Sequence, residues 1–122
     1  MIFKESKLNV SDNSGAKKIK CIEVLKASKK FGAKPGSLII MSIRKIKKNK
    51  NVVKGQVCKG IFIRGKKNIE RFDGSSIKFS DNAAILIDNK LAPIANRVIG
   101  FVYKELRYKD YPKVLALVKS II

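Results

Sequence analysis

A mostly β fold, a small barrel with hairpin extensions and a short helical C-terminal segment, is what the sequence predicts. Three observations predict it. Apolar residues recur with period two through most of the 122 residues. The segments that carry this period are short, and turn chemistry separates them at roughly 8- to 12-residue spacing. Several are partly apolar on both faces, as strands of a closed barrel or sandwich are, rather than cleanly alternating as in an open sheet with one wet face. A chain of this length hides roughly two-thirds of its unfolded surface and is expected to fold as one domain. Residues 1–103 are assigned to the barrel and 104–122 to the helical segment.

The elements follow in order. Residues 7–11 form the first strand, with Leu8 and Val10 on one face. Asp12-Asn13-Ser14-Gly15 then reverses the chain, since Asp and Asn side chains bond to nearby backbone and Gly15 is free to take positive φ. This stretch lacks the length and the helix start of a phosphate-binding loop. It leads into a strand over 18–26, where Ile19, Cys21 and Leu25 alternate against Ile22 and Val24. A basic loop over 27–36 ends in the turn dipeptide Pro35-Gly36. An isoleucine-rich strand over 37–46, a charged hairpin tip over 47–51 and a turn at Lys54-Gly55 come next.

The strand over 56–64 sets Val57, Ile61 and Ile63 on one face. A hairpin joins 69–72 to 77–79 through Asp73-Gly74, a dipeptide favoured where both central residues of a type I′ turn need φ > 0. Asp81-Asn82 turns the chain into a buried strand over 83–88, and after Pro93 a last strand covers 97–103. Only the tail changes period. Two short helices are expected over 104–110 and 112–119, with Pro112 in a first turn, Asp110 as its cap, and Val114, Leu115 and Val118 on one face.

Composition excludes much chemistry. The chain has no histidine, which removes Ser-His-Asp and Cys-His nucleophilic sites and most zinc, copper and non-haem iron sites. Five of its nine acids (Asp12, Asp73, Asp81, Asp88 and Asp110) fall at turns or caps, where backbone hydrogen bonding explains them. No G-x-x-x-x-G-K-[ST] occurs, and Gly55, Gly60 and Gly65 read as strand-end or bulge glycines. Cys21 and Cys58, with 36 residues between them, lack metal or redox spacing. They read as small buried hydrophobes in a reducing compartment. No cofactor, metal or catalytic residue is expected, and the chain is not read as an enzyme.

No run of 18 apolar residues exists. The stretch Met-Ile-Phe-Lys-Glu-Ser has the character of neither a secretory signal nor a transit peptide. A membrane-surface protein needs a basic amphipathic helix with a broad apolar face, and the only candidate, 112–122, has two lysines.

Charge is the strongest compositional fact. Twenty-eight Lys and Arg against nine Asp and Glu give +19, where soluble domains manage with roughly 2 to 8. A surface so charged repels itself, and a polyanion relieves it. The excess is uneven: no acid falls between Glu23 and Glu70, an interval holding fourteen cations. The candidates for phosphate contact sit at turns and edges: Lys17, Lys18, Lys29, Lys30, Lys34, Lys47, Lys48, Lys50, Lys54, Arg64, Lys66, Lys67 and Arg71. In the barrel region only Phe31, Phe62, Phe72 and Phe79 could stack a base, and Phe62 and Phe79 are assigned to the core. Charge without a stacking platform favours structured RNA, recognised by shape and phosphate.

An ordered set of motifs then carries a resemblance. Leu8-Asn9-Val10-Ser11-Asp12-Asn13-Ser14-Gly15-Ala16-Lys17-Lys18, Cys21-Ile22-Glu23-Val24-Leu25, Val53-Lys54-Gly55-Gln56-Val57, Lys66-Lys67 through Asp73-Gly74-Ser75, Phe79 with Asn82-Ala83, and Glu105-Leu106-Arg107 follow in order and spacing. Together, over essentially the whole chain, they resemble the bacterial-type large-subunit ribosomal protein fourteen family. The resemblance implies a five-stranded barrel bound to large-subunit rRNA, beside large-subunit proteins nineteen and three. It also implies a bridge to small-subunit rRNA and a docking face for a ribosomal silencing factor, where Arg97 and Lys113 match basic residues.

The chain departs from that family at several points. Ile61-Phe62-Ile63 replaces small aliphatics and Ile85 replaces valine. Ala95-Asn96 stands where the family has Gly-Thr, Gly100-Phe101 where it has Gly-Pro, and Ala116 differs in the final helix. The alternative function is a free single-stranded nucleic-acid-binding barrel or translation-factor module. Twenty-three lysines with many isoleucines and asparagines point to AT-rich codons. That fits a ribosome in a mitochondrion or plastid that encodes the chain, or alternatively in the cytoplasm of an AT-rich bacterium.

Overall fold

The computed structural model describes residues 2, 5–25, 32–47, 52–109 and 111–122. The strands, in chain order, are β1 (Lys7–Val10), β2 (Ala16–Val24), β3 (Leu38–Ile46), β4 (Val57–Arg64), β5 (Ile69–Glu70), β6 (Ser76–Ile77), β7 (Ala83–Ile87), β8 (Phe101–Val102) and β9 (Ser120–Ile121). A 3-10 helix (Lys104–Tyr108) and a one-turn helix α1 (Pro112–Leu115) lie between the last two strands. The order β1-β2-β3-β4-β7 is a closed barrel, as expected of a mostly β chain with five barrel strands. All neighbours are antiparallel except the closing pair, where β1 runs parallel to β7 with Asn9 opposite Ala83 and Val10 opposite Ala84.

Alternation along the strands produces two cores. Leu8, Ile19, Cys21, Ile39, Met41, Ile43, Phe62, Ala84 and Leu86 point inward and fill the barrel. The intervening residues of β4 and β7 point outward: Ile61, Ile63, Ala83, Ile85 and Ile87 pack under Val98, Val102, Leu106, Tyr111 and Val114. Every residue of β7 is therefore buried, which is why it reads as an unbroken apolar run instead of an alternating one. Val57 shares the outer face of Ile61 and Ile63 but stays exposed.

Tyr103 joins the two cores. It belongs to the barrel cluster although its neighbour Val102 belongs to the outer one. Its ring packs edge-on against Phe79, at 4.9 Å between centroids, and Phe62, at 6.4 Å. Its hydroxyl donates to the Gly65 carbonyl at 3.3 Å.

Several expectations need correction. The strand expected over 97–103 is cut by Gly100, whose φ of +82° interrupts extended backbone. It survives as an isolated bridge from Val98 to Asp12 and as two-residue β8. The helix expected over 112–119 stops at Leu115, and the chain returns as β9 to pair in parallel with β8. Strand pairing wins there because it carries Ile121 onto the outer core, where a continuing helix would carry it away. Pro112 does take the first helical position, after Tyr111; Asp110 lies outside the described residues.

The Asp73-Gly74 turn is not type I′. Only Gly74, at φ +88°, is left-handed. The Gly74 amide donates to the Arg71 carbonyl, and the Arg71 amide to the Ser75 carbonyl. That is a three-residue hairpin loop in which glycine follows a regular turn.

Gly60 sits in mid-strand on the inward face, where a Cβ would overlap the Met41 methyl and lie 2.6 Å from the Ile85 carbonyl oxygen. Met41 can shift, but the carbonyl is fixed in the barrel wall. Gly60→Ala is therefore expected to lower unfolding free energy by about 1–3 kcal/mol, measured by urea denaturation. A substitution at Gly74, where a Cβ meets nothing within 4 Å, acts only through its positive φ.

Candidate nucleic-acid interface

The turn between β1 and β2 fixes the geometry around the basic residues. Both carboxylate oxygens of buried Asp12 accept hydrogen bonds: Oδ1 from the Ser14 amide at 3.0 Å and the Ser14 hydroxyl, Oδ2 from the Leu86 amide in β7 at 3.0 Å. Gly15 takes φ +105°. Asn13 faces the other way: its Oδ1 accepts from the Asn96 and Arg97 amides, and its Nδ2 donates to Asn96 Oδ1 at 2.6 Å. The turn residues thus tie β1, β7 and the 94–99 loop together, and the lysines after them are left free to face outward.

β2 leaves this turn through a bulge. Its register against β3 shifts at Ala16/Lys18 and again at Lys18/Ile19. A bulge re-aims side chains, so consecutive Lys17 and Lys18 are both exposed while Ile19 is buried. Beyond it, Lys18 and Lys20 alternate with inward Ile19 and Cys21. Cross-strand pairing then sets cation against cation, with Lys7 opposite Lys20 and Lys18 opposite Lys45. The result is a groove of about 410 Å³ lined by Lys7, Lys18, Ile19, Lys20, Arg44 and Lys45, with no acidic residue in its lining. Like charges directly opposite one another on a sheet are destabilising, and a phosphate backbone removes that repulsion.

Of the residues chosen from sequence, only Lys18 lines this groove. Lys7, Lys20, Arg44 and Lys45 join it from strand positions, which a search for lysines at turns passes over. The period-two pattern was the available signal, since Lys18 and Lys20 must face outward if Ile19 and Cys21 face inward. Lys17, Lys34, Lys47, Lys54, Lys66 and Lys67 are exposed at separate turns and strand ends. Lys54 occupies a turn closed by the Gln56 amide on the Val53 carbonyl, with Gly55 at φ +86°. Lys29, Lys30, Lys48 and Lys50 lie outside the described residues. Arg97 is exposed in the loop held by Asn13, and Lys113 is exposed on α1.

The two arginines of the set are engaged inside the chain. Arg64 pairs with Asp81 at 3.3 Å, donates to the Ile99 carbonyl at 3.2 Å and also bonds the Ser11 hydroxyl. Arg71 grips Glu105 with two nitrogens, at 2.7 and 3.2 Å, and donates to the Ile122 carbonyl at 2.7 Å. A planar guanidinium satisfies several acceptors at once where an ammonium acts as a point charge. That suits both arginines to joining segments far apart in sequence. Nucleophilic chemistry finds little support in the thiols, since burial pushes the Cys58 thiol up to about 11 and leaves it protonated at neutral pH.

A family model for ribosomal protein L14p/L23e matches residues 1–122. The chain belongs to that family. As an L14p/L23e protein it is a structural constituent of the large ribosomal subunit, with large-subunit rRNA and ribosomal proteins as partners and the ribosome as its location.

Hydrogen bonding to Arg71 holds the Glu105 carboxyl below the usual carboxylate range. The unfolded chain therefore takes up this proton at higher pH than the folded one. The stabilisation is complete above the ordinary value of 4.5 and fades as pH falls through the lower folded value. Glu105→Gln is expected to cost about 1–2 kcal/mol at pH 7. The gap to wild type narrows at pH 3, as chemical denaturation at the two pH values will show.

Proposed function

We propose that this L14p/L23e protein binds large-subunit rRNA through the outer face of β1, β2 and β3, by phosphate contacts that position the barrel without reading sequence. The observation that carries this reading is the acid-free groove in which Lys7 stands opposite Lys20 and Lys18 opposite Lys45. Lys17, Lys34, Lys47, Lys54, Lys66 and Lys67 add contacts from the surrounding turns, and Lys29, Lys30, Lys48 and Lys50 extend the set. Arg64 and Arg71 serve from within by holding strands and loops in place.

We assign the protein-partner face to Arg97 and Lys113. Ile94 and Ile99, both exposed, accompany Arg97 in one loop, and exposed Phe101 follows in β8. Large-subunit proteins nineteen and three are the proposed neighbours, and small-subunit rRNA the partner across an intersubunit bridge. A silencing factor is the proposed regulator of the Arg97 face. There Asn96 differs from the family's threonine, and its bonds to Asn13 present the loop in one fixed shape. The lysine-, isoleucine- and asparagine-rich composition supports a ribosome in an organelle that encodes the chain, and the genetic code of the gene decides between that and an AT-rich bacterium.

With roughly 6–10 phosphate contacts, affinity for an rRNA fragment is expected to fall about 10³- to 10⁵-fold between 50 and 200 mM salt. Replacing Lys18, Lys20 and Arg44 together by Gln should flatten the log–log slope by about one unit per lost contact. An unchanged slope in fluorescence-anisotropy titrations would remove the groove from the interface. Co-sedimentation with large subunits in high salt is expected, whereas easy release would favour a free single-stranded nucleic-acid-binding barrel.

A further inference from the structure

The β5–β6 hairpin carries a side chain whose position the fold does not explain. Phe72 is fully exposed, at 113% of its reference area, on the three-residue loop that Gly74 completes. A ring so placed gains nothing from the core, and what marks it is the second exposed ring beside the same cavity. Tyr108, 77% exposed, lies at the end of the 3-10 helix. Both rings line one cavity of about 670 Å³, together with Pro35 and Ile69. That volume falls within the range of roughly 300–1,000 Å³ typical of sites for small ligands.

The backbone on either side of Phe72 is braced. Arg71, the residue before Phe72, is held by Glu105 and by the Ile122 carbonyl. Asp73, the residue after it, accepts from the Ser75 amide and hydroxyl at 3.0 and 2.6 Å. The aromatic tip therefore projects from a braced turn. Of the three carboxylates in the lining, Glu105 and Asp73 are thus held within the chain, and exposed Glu70 stands against three exposed lysines, Lys34, Lys104 and Lys109. Two accessible π-faces inside a cationic rim match a flat heterocycle that carries phosphates.

We infer that this cavity receives an unpaired nucleotide of RNA, its base stacked on Phe72 beside Tyr108 and its flanking phosphates met by Lys34, Lys104 and Lys109. The inference rests on the RNA-binding reading above and deepens it, because it adds contact with a base face to contacts with phosphate. It also revises the expectation that the barrel lacks a stacking platform. Stacking on an aromatic is tolerant of base identity, so the site selects an unpaired position in RNA and not a sequence.

The test uses the full-length chain and two RNAs: a stem with one bulged 2-aminopurine, and the same stem fully paired. Wild type should bind the bulged stem more tightly and quench its fluorescence. Phe72→Ala should weaken that binding about 5- to 140-fold, the range that base stacking on an aromatic implies, and leave the paired stem within about twofold. Phe72→Trp should retain affinity and quenching, and Phe72→Leu should behave like alanine. Because Phe72 is exposed, thermal melts of all three variants should match wild type. Equal wild-type affinity for both stems, no effect of Phe72→Ala, or full affinity with Phe72→Leu would each overturn the stacking site. Salt-sensitive binding of both stems without discrimination removes the stacking site alone, while failure to bind either RNA removes the RNA reading with it.

Discussion

The architecture depends on one buried carboxylate. A five-stranded sheet closes only if its first and last strands meet in register, and here they meet as a short parallel pair, the weaker kind per residue. Asp12 reinforces that seam. One oxygen shapes the turn that starts β2, and the other accepts the Leu86 amide of β7, so a single side chain couples the reversal of one hairpin to closure of the barrel. A buried ion without partners would be costly, but here both oxygens are satisfied. The outward lysines of β1–β3 depend on this, because closure fixes which residues of each strand face water.

The chain divides its cations between two tasks according to their chemistry. Both arginines that the structure draws inward sit where segments converge: Arg64 among Ser11, Asp81 and Ile99, Arg71 among the hairpin, the 3-10 helix and Ile122. The groove, by contrast, is lined mainly by lysines, whose flexible stems let an ammonium follow a backbone of irregular shape. Multidentate geometry holds the protein together, and adaptable point charge is left for its partner. With few acids to spare, an L14p/L23e barrel of this charge has little other means of fixing its loops electrostatically.

Much of this was legible in the sequence, and the rest was hidden for physical reasons. Period two located the barrel strands to within a residue or two, and the Asp12–Gly15 turn, the Gly55 turn and the burial of 83–87 followed from local chemistry. Pairing partners were not legible. Nothing local in Phe101-Val102 or Ser120-Ile121 says that they meet, so β9 stays hidden inside a segment, 104–122, that reads as helical. The groove shows the same limit. Clustered lysines advertise themselves in sequence, but Lys7, Lys20 and Arg44 become one groove only when three strands are aligned. Arg64 and Arg71 look like surface charge until their distant acceptors are known.

The parallel β8–β9 pair also governs the order in which the protein can form. The outer faces of β4 and β7, with Ile61, Ile63, Ile85 and Ile87, are covered by residues 98–121, and the covering segment is anchored by a strand at residues 120–121. Barrel pairing is itself distant in sequence, joining Asn9 to Ala83. Such non-local contacts make for slow folding, because long loops must close before any contact rewards them. During synthesis the barrel wall is complete while its apolar exterior is still bare, in a chain whose cations already attract polyanions. The interval between those two events is when this protein is most exposed to aggregation, and its length is set by how soon residues 98–121 follow the barrel strands.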